Sequence, residues 1–337
     1  MSSNSSSAPR FLIADIGGTN ARFALTAPDS RRGFDRDTIR VLRVADFPTP
    51  VAAALHYLAG QAVRPGGAVL AVAGPTDGET AQLTNHPWSF SADALRAAIG
   101  SPAVQLVNDF AAVARALPEL GPMDWRPLGP AHTSATGTDH RTYAVLGPGT
   151  GLGVAAVTMR EGRAFVLQTE GGHASFAPGN PEEIAILECL GRRYGRVSWE
   201  RLLSGAGLVN IHAAVCEIAG EPVAALTPED VTARAAGGEE RASVRSVEIF
   251  CAVLGAFAGD AALLYGAWDG VFIAGGIAPA LAPWLAAGGF RARFEAKGRF
   301  AGRLARVGAA LVVHPFPGLL GAAGYATTMA NPGGAWS

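Results

Sequence analysis

Two glycine-rich loops and a small set of carboxylates are the parts of this sequence that could do chemistry. The loops cover residues 15–20 (DIGGTN) and 147–153 (GPGTGLG), and apolar, strand-like runs flank both. Each loop predicts a hairpin whose tip directs backbone N–H groups and hydroxyls at one spot, which suits phosphate oxygens. One such loop is as readily an ordinary tight turn. Two of them, each opening one half of the chain, predict two related domains that hold one nucleotide.

Further candidate residues adjoin predicted strands. Asp15 ends the first strand, immediately before the first loop, where a carboxylate could hold Mg²⁺ beside phosphates, directly or through water. Gly275 and Gly276 follow a predicted strand over 271–274 and precede a helix, so they could contact the sugar or α-phosphate of a nucleotide. A close-packing turn is the equally good alternative for these two glycines.

Asn108 and Asp109 lie between a predicted strand over 104–107 and a predicted helix over 110–116. An acid at the carboxyl end of a strand and the start of a helix occupies the place where α/β proteins put their ligands. The alternative is that one of the two residues simply caps the helix. Both interpretations hold together if one residue caps and its neighbour faces the ligand.

Glu170 and His173 are separated by two glycines, which would let a ligand approach the backbone. Carboxylates accept hydrogen bonds from sugar hydroxyls, and histidine can donate or accept. A polar turn is the alternative, whereas a metal site would need more ligands than the neighbouring sequence supplies. Glu200 lies in a predicted helix over 198–203 and, judged alone, is typical of a surface helix.

These residues require an alternating framework to position them. Strand-like runs alternate with helical patterns, which indicates α/β layers, and a meander of three strands at the start of each half predicts mixed sheets. The predicted strands are 11–14, 22–25, 69–73, 104–107, 143–146, 154–158, 271–274 and 311–314. The predicted helices are 51–59, 92–99, 110–116, 182–194, 198–203, 207–219 and 239–265, with a turn and then a helix after His314.

Length, charge and composition limit the classes of function that this chain could have. The chain has 337 residues, which fits two domains, and a formal net charge of −1, which argues against nucleic acid as the main partner. Its only lysine, Lys297, follows no Walker-type loop. Three scattered cysteines fit a reducing compartment, and the polar N-terminus has no apolar signal segment. The uncharged stretch 270–290 is long enough to span a membrane, but its prolines and glycines favour a strand, a turn and a helix.

Taken together, these motifs resemble the bacterial glucokinase family of the hexokinase/actin/Hsp70-like superfold. The ordered set runs from about residue 11 to about residue 325, so that the resemblance covers almost the whole chain. It implies a two-domain, ribonuclease H-like (actin-like ATPase) α/β fold with mixed sheets flanked by helices and an active site in the interdomain cleft. The implied small domain covers 1–119 plus 314–337, and the large domain covers 120–313. The motifs that carry the resemblance are DIGGTNAR (15–22), TNHPW (84–88), NDF (108–110), GPGTGLG (147–153), EGGH (170–173), LSGAG (203–207), GVFIAGGI (270–277) and PGLLG (317–321).

The resemblance also implies residue roles in the first step of glycolysis, the ATP-dependent phosphorylation of glucose at its 6-hydroxyl. Asp109 would be the general base, and Asn108, Glu170, His173 and Glu200 would hold the other hydroxyls. Mg²⁺ would lie at Asp15. The implied ATP contacts are Gly17, Gly18, Thr19, Asn20, Gly149, Thr150 and Gly151 at the phosphates, with Gly275 and Gly276 near the adenosine. Pro148 has no N–H, so a phosphate contact in its loop must come from the residues after it.

The family resemblance further implies a homodimer, and the charge, cysteines and apolar segments described above predict a cytoplasmic protein with no membrane or nucleic-acid partner. Three rivals share the superfold. A related hexose or N-acetylhexosamine kinase usually carries a clustered-cysteine zinc motif, and no cysteine cluster follows His173. A sugar-sensing transcriptional regulator would need a DNA-binding domain before the first loop. A chaperone- or actin-like ATPase would not need Glu170, His173 and Glu200 together.

Overall fold

The structure is a computed structural model that describes residues 9–27, 33–84, 86–130, 140–238 and 240–330. Within these residues the chain divides into two compact units. The first comprises the described parts of 1–120, 159–168 and 314–337, and the second comprises those of 121–158 and 169–313. Each unit is built around its own mixed sheet.

The first unit begins with an antiparallel meander, to which parallel strands are added. Its strands are β1 (Phe11–Ile16), β2 (Asn20–Thr26), β3 (Phe34–Arg43), β4 (Gly67–Val72), β5 (Thr80–Gln82), β6 (Ser89–Ser91) and β7 (Val104–Asn108). The main sheet has the order β3-β2-β1-β4-β7, and β5 and β6 form a separate antiparallel pair. β4 runs parallel to β1 and β7 runs parallel to β4, so the carboxyl ends of these three strands share one edge. The predicted mixed sheet is confirmed, whereas β3 was not predicted.

Each of the first three helices begins at a side chain that caps it. They are α1 (Pro50–Ala59), α2 (Ala92–Ile99) and α3 (Asp109–Ala116). Thr49, Ser91 and Asn108 accept hydrogen bonds from N–H groups that the first turns of these helices leave without helical partners. Alternate side chains of β1 enter two cores, one on each face of the sheet, as Leu12 and Ile13 illustrate.

The second unit repeats this strand arrangement. The strands of its sheet are β8 (Trp125–Pro127), β9 (Arg141–Pro148), β10 (Leu152–Arg160), β11 (Arg163–Thr169), β12 (Gly270–Ile273) and β13 (Ala309–Val312), in the order β11-β10-β9-β12-β13-β8. Of these strands, only residues 159–168 are grouped with the first unit. A two-residue turn with positive φ at Glu161 and Gly162 joins β10 to β11, as tight hairpins require. β12 runs parallel to β9, so the loop after β9 and the turn after β12 lie at the same edge of the sheet.

The helices of the second unit pack around one large core. They are α4 (Pro181–Tyr194), α5 (Gly205–Ala219), α6 (Pro228–Gly237), α7 (Arg241–Tyr265), α8 (Ala282–Ala286), α9 (Gly289–Glu295) and α10 (Ala301–Leu304). α6 was not predicted. The predicted helix over 198–203 is wrong, because only a single 3₁₀ turn, Trp199–Arg201, forms there.

Two stretches meet the length of a membrane span. The uncharged residues 270–290 form β12, α8 and the start of α9. Among the described residues, α7 alone is long and apolar enough to cross a membrane, and 72% of its apolar window is buried inside the protein. Buried side chains such as Phe250 and Phe257 give it the character of a core helix.

The C-terminal helix α11 (Pro317–Ala330) belongs to the first unit. It packs against α3, β1 and β4. Leu319, Ala322 and Ala323 are buried with Ile13 of β1 in one core. The predicted turn followed by a helix is confirmed, and its first turn lies near the carboxyl end of β1.

Candidate functional site

The second glycine loop is a tight connection between β9 and β10. The N–H of Gly149 donates to the carbonyl of Gly151 over 2.8 Å, which closes the loop on itself. The carbonyl of Gly149 accepts from the N–H of Gly205, the first residue of α5, also over 2.8 Å. Thr150 is exposed at the tip. The loop is therefore held against the start of a 15-residue helix, where backbone N–H groups favour anions.

The turn after β12 supports the same loop from another side. Gly275 has φ +90°, and a Cβ there would come within 2.5 Å of the carbonyl oxygen of Pro148. The carbonyl of Pro148 also accepts from the N–H of Ile277 over 3.4 Å. Gly276 is exposed beside this turn. The close approach explains the glycine at 275, and Pro148 contributes through its carbonyl, since it has no N–H.

Glu170, His173 and Glu200 lie together in the second unit. The Nε2 atom of His173 is 4.0 Å from Oε2 of Glu170, and its Nδ1 atom is 3.9 Å from Oε1 of Glu200. These separations exceed hydrogen-bond lengths, so the three polar groups retain capacity for hydroxyl partners. Their side chains are 71%, 58% and 32% exposed in the order Glu170, His173, Glu200, which makes Glu200 the most enclosed.

A short backbone pairing brings Glu200 to His173. The N–H of Trp199 donates to the carbonyl of Ala174 over 3.0 Å, and that of Phe176 donates to the carbonyl of Val197 over 3.0 Å. Ser175 and Ser198 form an isolated antiparallel bridge between the same two segments. Because of this pairing, Glu200 lies beside His173 and is not part of the surface helix that its sequence suggests.

The carboxylate of Glu200 also contacts the second glycine loop. Its Oε2 atom accepts from the N–H of Leu152 over 2.9 Å. A Cβ at Gly151 would come within 2.6 Å of the same oxygen, so that the missing side chain makes room for this carboxylate. Glu200 therefore touches both the loop and the His173 side.

The turn that carries Glu170 is anchored from behind. The hydroxyl of Thr169 donates to the carbonyl of Val154 over 2.9 Å and accepts from the N–H of Gly171 over 3.2 Å. It also lies 3.2 Å from the hydroxyl of Tyr265, the last residue of α7. Sequence reasoning did not identify this pair, because neither residue stands in a motif that suggests chemistry.

In the first unit, the glycine loop joins β1 to β2. The N–H of Gly17 donates to the carbonyl of Asn20 over 3.0 Å, and the carbonyl of Thr19 accepts from the N–H of Val44 over 2.9 Å. Gly18 is half-buried and Thr19 is exposed at the tip. This closure resembles that of the second loop.

Asp15 lies in a confined environment at the end of β1. Its Oδ2 atom is 3.5 Å from a guanidinium nitrogen of Arg22, and a Cβ at Gly318 in α11 would come within 2.7 Å of its Cγ. Burial raises the pKa of the Asp15 carboxyl, and the positive charge of Arg22 partly opposes that rise. The described residues contain no group of three or more His, Cys, Asp or Glu side chains arranged to hold a metal.

Asn108 and Asp109 lie at the same edge of the sheet as the first loop. The loop is at the carboxyl end of β1, these two residues are at the carboxyl end of β7, and β1, β4 and β7 are parallel. Oδ1 of Asn108 accepts from the N–H groups of Phe110 and Ala111 over 2.9 and 3.1 Å. Its Nδ2 donates to the carbonyl of Gly74 over 3.2 Å. Asn108 is therefore the cap, while Asp109 occupies the first helical position and its Oδ1 accepts from Phe110 over 2.9 Å.

Comparisons with known proteins match most of the chain to one family. The family model described as Glucokinase matches residues 12–329. A glucokinase of Xanthomonas oryzae pv. oryzae is 51% identical over 316 residues, which cover 94% of each chain. The crystal structure of a glucokinase from an Antarctic psychrotroph has a TM-score of 0.86 at 35% identity and covers 94% of this chain and 98% of that one.

A more distant solved structure shares the fold. The glucokinase of Balamuthia mandrillaris, solved in complex with glucose, has a TM-score of 0.77 at 22% identity. The alignment covers 96% of this chain and 94% of that one. The resemblance in fold therefore persists where most side chains differ.

Proposed function

We infer the roles of the site residues from one premise: the chain belongs to the glucokinase family. As a member it is an ATP-dependent hexose kinase that phosphorylates glucose to glucose 6-phosphate at the first step of glycolysis. Phosphoryl transfer depends mainly on positioning and on charge stabilisation. The proposals below assign these tasks to residues.

Glu170, His173 and Glu200 bind hydroxyls of glucose. The observation that carries this proposal is their convergence around His173 at separations that leave room for hydrogen bonds to a ligand. A bound sugar would cover these side chains, and a group that it covers without a hydroxyl partner costs about 1–3 kcal/mol. The trio therefore favours glucose over sugars that lack or invert a contacted hydroxyl. The glucose complex of the Balamuthia mandrillaris protein supports the choice of sugar.

Asp109 acts as the general base toward the 6-hydroxyl. A carboxylate can accept that proton as the bond from oxygen to phosphorus forms. Its neighbour Asn108 uses its oxygen to cap α3 and one amide proton to bind Gly74, which leaves the second amide proton for a sugar hydroxyl. This supports a sugar contact by Asn108 through its amide nitrogen alone.

The two glycine loops bind the phosphates of ATP. Gly17, Gly18, Thr19 and Asn20 supply one set of N–H and hydroxyl groups, and Gly149, Thr150 and Gly151 supply the other. Gly275 and Gly276 lie near the adenosine, because their turn adjoins the second loop. Backbone donors of this kind offset the charge of the transferring group.

Asp15 is suited to bind Mg²⁺, either directly or through a water molecule. It presents one carboxylate at the start of a phosphate-type loop, and the described residues add no cluster of further ligands. This suits Mg²⁺, which commonly takes one or two carboxylates and completes its shell with waters and substrate phosphates. Bound there, the ion would neutralise phosphate charge.

We further propose that the protein is a cytoplasmic homodimer and that neither a membrane nor nucleic acid is its partner. The formal net charge of −1 and the burial of α7 support the latter part. Sedimentation of the purified protein over a range of concentrations tests the dimer. A single species of 34.5 kDa at every concentration would contradict it.

A coupled assay of ADP formation, with and without glucose, tests the assignment of Asp109. Asp109→Asn keeps the side-chain shape and is expected to lower glucose-dependent turnover by about 100-fold or more, while glucose still binds. Asp93→Asn is the matched control, since Asp93 also lies in the first turn of a helix of the same unit. Full activity of Asp109→Asn would overturn the general-base role. Turnover independent of glucose in the wild type would point to an ATPase instead.

A further inference from the structure

We propose that Glu200 positions the ATP-binding loop as well as the sugar, so that one carboxylate serves both substrates. This inference rests on the proposed function, because it assumes that loop 147–153 binds phosphates. It adds a positioning role toward the nucleotide to a residue assigned above only to glucose. The role is carried by the contact between Glu200 and Leu152.

The two oxygens of Glu200 face different parts of the site. Oε1 is 3.9 Å from Nδ1 of His173, on the side of the sugar trio. Oε2 accepts the N–H of Leu152 over 2.9 Å at the end of the loop, where the absent side chain of Gly151 gives it room. A charged acceptor makes a stronger hydrogen bond than a neutral one, and this bond fixes Leu152, where the phosphate loop passes into β10.

Glu170 provides a natural comparison within the same trio. It is also a carboxylate beside His173, at 4.0 Å, but it is 71% exposed and lies at the start of the 170–173 turn. Gly172 of that turn packs on the carbonyl of Leu152, but the side chain of Glu170 makes no hydrogen bond to the loop among the contacts of the described residues. Loss of Glu170 should therefore affect glucose alone, whereas loss of Glu200 should affect both substrates.

Removal of the Glu200 carboxylate would change the affinity for ATP in opposite directions, depending on whether its charge or its hydrogen bond dominates. If the carboxylate only repelled phosphate, its removal would strengthen ATP binding. If it orders the loop, its removal leaves the Leu152 N–H without its acceptor and the loop less constrained, and ATP binding weakens. Glu200→Gln separates the two effects, because the amide oxygen can still accept from Leu152 after the charge has gone.

The experiment measures the dissociation constant of ATP by calorimetry without glucose, and then both KM values in the coupled assay. The variants are Glu200→Ala, Glu200→Gln and Glu170→Ala. We expect Glu200→Ala to weaken ATP binding about tenfold, equivalent to about 1.4 kcal/mol. We expect Glu200→Gln and Glu170→Ala to bind ATP within about twofold of the wild type, while all three raise the KM for glucose.

Two results would overturn the proposal. One is that Glu200→Ala binds ATP as tightly as the wild type or more tightly. The other is that Glu170→Ala weakens ATP binding as much as Glu200→Ala, since the effect would then not depend on the bond to Leu152. Circular dichroism and the midpoint of thermal unfolding identify a misfolded variant, and Glu200→Gln then carries the test through its rescue of ATP binding. Failure of the wild type to bind ATP or to phosphorylate glucose would instead overturn the proposed function.

Discussion

The two glycine loops share a hairpin form but differ in where their carboxylates come from. In the first loop, Asp15 belongs to the strand that leads into the turn. In the second, residues 147–153 contain no charged side chain, and the carboxylate that reaches the loop is that of Glu200, 48 positions beyond Leu152. Similar loop sequences in similar hairpins therefore have different surroundings.

The contacts of the two carboxylates differ as well. Asp15 is confined near Arg22 and the first turn of α11, and it accepts no hydrogen bond from its own loop among the contacts of the described residues. Glu200 accepts one directly from the second loop. We infer that the first loop contains its own carboxylate, Asp15, which can bind a cation. The second loop contains none, and the carboxylate of Glu200 accepts a hydrogen bond that orders its backbone. The following predictions test this contrast.

The largest effect is expected at the first carboxylate. Asp15→Asn removes the carboxylate proposed to hold Mg²⁺, and we expect kcat to fall by about 100-fold or more while the dissociation constant of glucose stays within about twofold. Activity above about a tenth of the wild-type value would show that Asp15 is not needed for the metal. Glucose binding by calorimetry confirms that the variant is folded.

The same variant carries a prediction about stability. Because burial raises the pKa of Asp15, the folded protein holds this proton to higher pH than the unfolded chain does. Ionised Asp15 therefore destabilises the folded state as the pH rises from its usual pKa through the raised one. We expect Asp15→Asn to be at least as stable as the wild type at neutral pH, with the difference shrinking as the pH is lowered. Urea unfolding at several pH values measures it, and a less stable variant at neutral pH would contradict it.

An intermediate effect is expected at the turn after β12, which packs against the second loop. Gly275→Ala places a Cβ at φ +90° within 2.5 Å of the Pro148 carbonyl, and we expect it to lower the free energy of unfolding by about 2 kcal/mol and to weaken ATP binding. Gly276→Ala meets nothing within 4 Å, and its free energy of unfolding should stay within about 0.5 kcal/mol of the wild type. Equal stability of the two variants would show that the loop does not need this support.

The smallest effect concerns the charge beside Asp15. The positive charge of Arg22 lowers the pKa of the carboxyl against the effect of burial, so Arg22→Gln should raise that pKa further. A proton then competes with Mg²⁺ at higher pH, and the acid limb of kcat/KM for ATP should move to higher pH. Arg40→Gln, an exposed arginine in the same unit, is the control. An unchanged or downward-shifted limb would break the link between Asp15 and the metal.

Local patterns predicted much of the framework. The strands that flank both loops, the mixed character of the sheets and a cap at Asn108 or Asp109 were predicted, because the signals lie within a few residues of one another. β3 was missed because its sequence, FDRDTIRVLR, alternates weakly and carries five charged residues. α6 was missed although Thr227 and Asp230 form a capping box, since its apolar positions are few.

For the site, the sequence by itself determined the chemical groups and their local supports: Asp15 before its loop, Asp109 at the start of α3, and Glu170 and His173 around one turn. Only the tertiary structure decided which of them meet. The bridge between Ser175 and Ser198 brings Glu200 to His173, and the open side of Gly151 admits its carboxylate to the loop. These contacts join segments that lie tens of residues apart in the sequence. Motif spacing cannot predict them, because the packing of the whole core decides how distant segments are placed against one another.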